Sequence, residues 1–231
     1  MSRKAIGALL VVATVGAGGT ASYLVTTKPA YEADMHGYTG LFGRAMKFSI
    51  GVDTAMARVK KAYPTVVTYP HKHWEWQSTV PQIIATYKKT KRPVILSGHS
   101  LGADALMNIA HALDKEGVPV AALFAYDPTP FVACVPSNVQ VVIGWRNTFP
   151  FQLGGGQIHW CQNPPKGSPR SMARYDVPDF HTNIDDRPDV HATTVKHVGD
   201  VIHMLREMKA TPTRAETMRM IADAFSNLGV E

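Results

Sequence analysis

The chain has 231 residues, 45% of them hydrophobic and 18% charged, enough for one sizeable core and short for two. The net charge of +6 is spread out, with small clusters at Arg58–Lys61 and Lys88–Arg92, and no aromatic residues interleave with them. Nucleic acid is therefore not an expected partner.

The first 28 residues stand apart. Arg3 and Lys4 precede an apolar run from Ala5 to Val25, closed by Lys28 and Pro29. Ala5–Val15 has the length of a signal-peptide apolar region and Gly19-Thr20-Ala21 offers small residues for cleavage, yet the full run is also long enough to span a bilayer as a helix. Residues 1–28 are accordingly expected to be a signal peptide or a transmembrane anchor, and residues 29–231 a single catalytic domain. The expected location is membrane-anchored or exported, with the basic end in the cytoplasm. The two cysteines, Cys134 and Cys161, fit either one disulfide or two buried thiols.

Beyond residue 28, strand-like and helix-like patterns alternate, the mark of a mostly parallel sheet with helices on both faces. A short strand at Glu32–Met35 is expected to enter a loop at His36-Gly37-Tyr38-Thr39-Gly40. A helix follows over Val52–Lys61, then a β-branched strand at Thr65–Tyr69 and a helix at Pro81–Lys89. Pro93–Ser97 reads as a short buried strand. After Gly102, the apolar residues Leu106, Ile109, Ala110 and Leu113 keep helical spacing up to Gly117, a natural C-terminal glycine. Strands are expected at Val118–Tyr126, Val139–Trp145 and Ser171–Val177. Arg146–Arg170, rich in Gly and Pro, is left as a long loop of the kind that carries function. Asp186 and Pro188 open a helix with the buried stripe Val190, Thr194, Val198, Val201 and Leu205. A last helix starts at the capping box Thr213-x-x-Glu216 and buries Met218, Ile221, Phe225 and Leu228.

Gly98-His99-Ser100-Leu101-Gly102 lies between an apolar strand and a periodic helix. A serine there sits on a sharp turn at a helix N-terminus, where unpaired N–H groups favour developing negative charge. Ser100 is the expected nucleophile and the Leu101 N–H an oxyanion donor. A neutral hydroxyl needs a histidine, and that histidine a carboxylate. Asp127 directly follows a strand and is the expected acid, with Asp176 and Asp179 as alternatives. His181, in a loop ahead of the closing helix, is the expected base, with His191 as runner-up. His99 reads as a hydrogen-bonded neighbour of the serine. Glycines in His36–Gly40 let backbone approach a substrate, so the Tyr38 N–H is the expected second oxyanion donor. Trp74, Trp76, Phe131, Phe149, Phe151 and Trp160 are expected to wall an apolar pocket. His71 and His73 lack a usefully spaced third ligand for a metal and read as surface or rim residues.

These stretches, with Gly98–Ala105, Ala125–Pro130 and His181–His191, resemble small lipase-like and thioesterase-like serine hydrolases of the α/β-hydrolase superfamily found in bacteria and phages. The resemblance covers roughly Met35 to Leu205. It implies an α/β-hydrolase fold, His181 as base, Asp127 as acid, and hydrolysis of a carboxylic ester or thioester without metal or organic cofactor. The implied partners are a small-molecule or lipid-like acyl ester and, through the N-terminal segment, a membrane. The first strand departs from the superfamily pattern in carrying Glu32 and Asp34. A tethered binding protein without turnover, and an amidase or acyltransferase using the same three residues, are the alternatives.

Overall fold

The computed structural model describes residues 10–15, 21–26, 32–41, 43, 49–149 and 153–210. Two compact units divide between Tyr31 and Glu32. In the first, β1 (Leu10–Val15) and β2 (Ala21–Thr26) pair antiparallel, Leu10 opposite Thr26 and Val15 opposite Ala21. This differs from the helix expected over the apolar run. Val11, Val12, Thr14 and Val15 are β-branched, and Gly16, Gly18 and Gly19 divide the run in two, which favours strands over one continuous helix. No helix among the described residues is long and apolar enough to cross a membrane.

The second unit is built on six parallel strands: β3 (Ala33–Thr39), β4 (Val66–Lys72), β5 (Val94–His99), β6 (Val120–Tyr126), β7 (Val139–Asn147) and β8 (Ser171–Val177). Their order across the sheet is β4-β3-β5-β6-β7-β8. The chain runs from β3 outward to β4 and then returns to place β5 on the other side of β3. Strand order thus reverses beside β3 and β5, and the crevice beyond the carboxyl ends of such a pair is where open parallel sheets bind ligands.

Helices cover both faces. α1 (Gly51–Ala62) and α4 (Pro188–Ala210) pack on one through Val52, Met56, Val59, Val190, Val198 and Val201. On the other, α2 (Trp76–Thr90) and α3 (Leu101–Lys115) bring Val80, Ile83, Leu106, Ile109 and Leu113. The stripe predicted for α3 is completely buried, as are Thr194, Val198 and Val201 of α4. Truncating one such leucine to alanine costs about 2–5 kcal/mol.

Most element boundaries agree with the pattern in the sequence, with three informative differences. β3 continues through His36-Gly37-Tyr38, where a loop was expected. A Cβ on Gly37 would stand 2.4 Å from Met56 Sδ, so this glycine admits α1 to the sheet and makes no turn. α2 begins at Trp76 and carries Pro81 within it. β4 extends through Pro70, which an edge strand tolerates because that side of the ladder has no partner. Cys134 and Cys161 form a disulfide that ties the segment after β6 to the long loop after β7. The helix expected from Thr213 lies outside the described residues.

Candidate active site

Ser100 stands between β5 and α3 with φ 56° and ψ −126°, a backbone conformation unfavourable for any side chain. Its neighbours make the turn possible. A Cβ on Gly98 would meet Gly102 O at 2.6 Å, and one on Gly102 would meet Tyr38 O at 2.1 Å. The turn is held by the Ser100 N–H donating to Tyr126 O (3.0 Å) and the Asp104 N–H donating to Ser100 O (3.1 Å).

Three sequence-distant side chains meet above the strand ends. Ser100 Oγ lies 2.9 Å from His181 Nε2, and His181 Nδ1 lies 2.6 Å from Asp127 Oδ2. A carboxylate only accepts, so Nδ1 carries the proton and Nε2 is free to accept from the serine. All three side chains are buried or nearly so.

Asp127 has more partners than its histidine. The Asn147 N–H and Gly155 N–H donate to Oδ1 at 2.8 and 2.7 Å, and the Asn147 side-chain amide donates to Oδ2 at 2.7 Å. Burial works against the charge, but these bonds together with that from His181 outweigh it and hold the carboxyl below its usual range. Asn147 and Gly155 were not singled out from the sequence. The only signal for the latter is the run Gly154-Gly155-Gly156 in the long loop. A Cβ on Gly154 would fall 2.0 Å from Asp127 Oδ2, and Gly155 has φ +84°.

The alternative groups lie elsewhere. His191 donates from Nε2 to Asp185 O within the packing of α4. Asp176 pairs with Arg146 (2.6 Å), and Asp179 with Arg187 (2.8 Å).

A cavity of about 450 Å³ opens beside Ser100, lined by Gly40, Leu41, Ser49, His99, Leu101, Thr129, Pro130, Phe131, Leu153, His181 and Thr182. Of the expected wall residues, Phe131 lines it and is 93% exposed. Phe149 packs edge-on against Phe180. Trp74 lies under Lys72, Trp76 lines a different groove with His111 and Lys115, and Trp160 packs beneath Arg170. Those three tryptophans are not brought to the cavity: two belong to the segment from the edge strand into α2, and the third sits beside the disulfide. Leu41 and Leu153 take the places expected of them. Phe151 lies outside the described residues. His71 reaches back to His36, ring nitrogens 3.1 Å apart, at the sheet edge.

Tyr38 does not reach the cavity. It sits inside β3 between His71 and Gly98, fully buried, its hydroxyl 2.6 Å from Thr79 Oγ1. Because β3 runs further than expected, backbone emerges beside Ser100 only at Gly40, where a Cβ would stand 2.9 Å from Ser100 Cβ. The Gly40 N–H is taken by Ser49 Oγ at 2.9 Å. Leu41 is next, at the start of a turn closed by the Gly43 N–H to Gly40 O (3.2 Å).

No family model and no curated protein sequence matches the chain. Solved structures do. A protein from Xanthomonas campestris pv. campestris, ascribed to the α/β-hydrolase superfamily, shares 16% identity over 73% of this chain and 99% of its own, with a TM-score of 0.50. The RedJ thioesterase of prodiginine biosynthesis in Streptomyces coelicolor shares 10% over 75% of this chain and 91% of its own, at 0.47. Human thioesterase 2 shares 11% over 74% and 96%, at 0.44. The class is therefore plain at the level of architecture: this chain has the α/β-hydrolase fold.

Proposed function

We propose that the chain is a serine hydrolase that cleaves a carboxylic ester or thioester of an apolar acyl group through an acyl-enzyme on Ser100. The observation that carries this reading is the unbroken series Ser100 Oγ, His181 Nε2, His181 Nδ1 and Asp127 Oδ2 at the switch point of the sheet. His181 takes the serine proton as Oγ attacks the acyl carbonyl, and Asp127 steadies the imidazolium that forms. The tetrahedral oxyanion rests on the Leu101 N–H at the start of α3 and on the Leu41 N–H, which replaces Tyr38 in this role. His181 then returns its proton to the leaving alcohol or thiol. Water repeats the cycle and frees the acid.

Leu41, Pro130, Phe131 and Leu153 around the serine support an apolar acyl group. The disulfide supports the exported location read from residues 1–28, since oxidising compartments preserve such bonds. Hydrolysis of p-nitrophenyl esters of increasing chain length tests the function. The wild-type chain should turn them over and Ser100→Ala and His181→Ala should not; equal rates in all three chains reject it.

A further inference from the structure

Behind the three residues of the proposed reaction lies a second, wholly buried set that the mechanism does not use. His99 occupies the elbow itself, beside Ser100, and is 2% exposed; Ser49 lies two residues ahead of α1 and is 1% exposed. His99 Nδ1 lies 2.6 Å from Ser49 Oγ, and His99 Nε2 lies 2.8 Å from the backbone carbonyl of His181. Ser49 Oγ in turn receives the Gly40 N–H.

Every proton in this chain can be placed. A carbonyl oxygen only accepts, so His99 Nε2 bears hydrogen. Burial, aided by the neighbouring His181, lowers the His99 pKa to about 3 and keeps the ring neutral, so Nδ1 is bare and accepts from the Ser49 hydroxyl. That hydroxyl has a lone pair left for Gly40. The bonds therefore run in one direction: Gly40 N–H to Ser49 Oγ–H to His99 Nδ1, and His99 Nε2–H to His181 O. Two carboxyls also face His99: Asp127, whose charge works against the lowering, and Asp185, its Oδ1 3.5 Å from Nδ1, whose own pKa burial pushes well up.

The ends of this chain are the two segments whose placement the reaction depends on. At one end, Gly40 precedes the proposed oxyanion donor Leu41; at the other, the carbonyl belongs to the proposed general base. We infer that Ser49 and His99 form a positioning relay that sets the oxyanion loop and the His181 loop against the nucleophile elbow as one unit. Oxyanion donors act by being fixed before charge develops, so loosening such a loop raises the barrier to the transition state more than it weakens substrate binding. Ser49 and His99 both border the cavity, but in this role they act through Gly40 and His181 and not on the reacting atoms. The inference rests on the proposed function, since the relay matters only if an oxyanion forms beside Ser100.

Ser49→Ala tests it. The substitution removes the one buried hydroxyl that bonds both the Gly40 N–H and His99 Nδ1. The relay predicts a kcat for a p-nitrophenyl ester lower by about 10- to 100-fold, less than loss of an oxyanion donor itself because the donor is displaced and not removed. KM should change by less than about 2-fold, and an alkyl boronic acid, which forms a tetrahedral adduct on serine, should bind more weakly in proportion to kcat. Ser49→Thr keeps the hydroxyl and should restore most of kcat. A merely structural role would lower the melting temperature and the active fraction, measured by titration with a fluorophosphonate, without changing kcat per active site. In the wild-type chain, nitrogen NMR should show His99 protonated at Nε2 and bare at Nδ1.

A wild-type chain that turns over esters, with a Ser49→Ala variant matching it in kcat per site, overturns the relay and leaves the proposed function standing. The opposite tautomer at His99 overturns it equally. A wild-type chain inert to ester, boronic acid and fluorophosphonate fails the proposed function itself.

Discussion

Two glycine-dependent segments meet at the Ser100–His181–Asp127 series, and they differ in how their packing is encoded. In the elbow, Gly98 and Gly102 lie two residues either side of the serine, and each presses against backbone, at Gly102 O and Tyr38 O. In the long loop after β7, Gly154 presses against the Asp127 carboxylate and His181, far from it in sequence. Both places need a residue without a Cβ. The first need comes from a tight turn and so leaves a fixed spacing; the second comes from tertiary closure and leaves only a run of glycines.

Substitutions at the two sites should separate these roles. Gly102→Ala puts a methyl group 2.1 Å from a carbonyl in the centre of the sheet, where neither partner can yield. It should abolish ester turnover and destabilise the fold by several kcal/mol, at least about 3, read from urea unfolding. Gly154→Ala, in a loop, should keep the unfolding midpoint near that of the wild type but displace Asp127 and His181, lowering kcat by about 100-fold. If the two variants lose stability equally, the distinction between them is wrong.

Asn147→Ala sharpens the same comparison from the far side, because Asn147 ends β7 and holds Asp127 with a side-chain and a backbone bond. Loss of the amide should lower kcat by about 10-fold, as for other groups that orient a charged partner. The acidic limb of the stability curve tests the buried histidines. Burial lowers His36 and His99 to about 3 from an ordinary 6.5. Both groups then bind protons in the unfolded chain and not in the folded one, so the stability tied to their neutral forms is complete above about pH 6.5 and is lost as pH falls toward 3. Each adds a slope of about 1.4 kcal/mol per pH unit in that window. His36→Gln should flatten the slope of urea stability against pH by one such increment. The smallest effect belongs to Phe131, 93% exposed on the cavity rim. Phe131→Ala should raise KM for a long-chain ester several-fold, with stability changed by less than about 0.5 kcal/mol.

The sequence made the sheet and the elbow legible for a physical reason. Val94–Ser97, the stripe on α3 and Val120–Tyr126 are strongly apolar at the right period, and His181 and Asp127 follow from chain order around the serine. What escaped depended on contacts that local pattern does not carry. His36-Gly37-Tyr38 resembles a turn, yet continues β3 because Gly37 admits Met56. The proposed second oxyanion donor accordingly lies in the Gly40–Leu41 turn and not at Tyr38. Trp74, Trp76 and Trp160 are expected at the pocket only if the segments that carry them gather at the strand ends, which they do not, while Leu41 and Leu153 line the cavity. Asn147 resembles any polar strand end until Asp127 is beside it.

The central claim is that Ser100 is made nucleophilic by His181. Intact-mass and peptide mass spectrometry after reaction with a fluorophosphonate measures this directly. One phosphonyl group should be found per chain, on the peptide bearing Ser100, and should be absent from Ser100→Ala and from His181→Ala over the same reaction time. An adduct on another residue, or labelling that survives in Ser100→Ala, would contradict it.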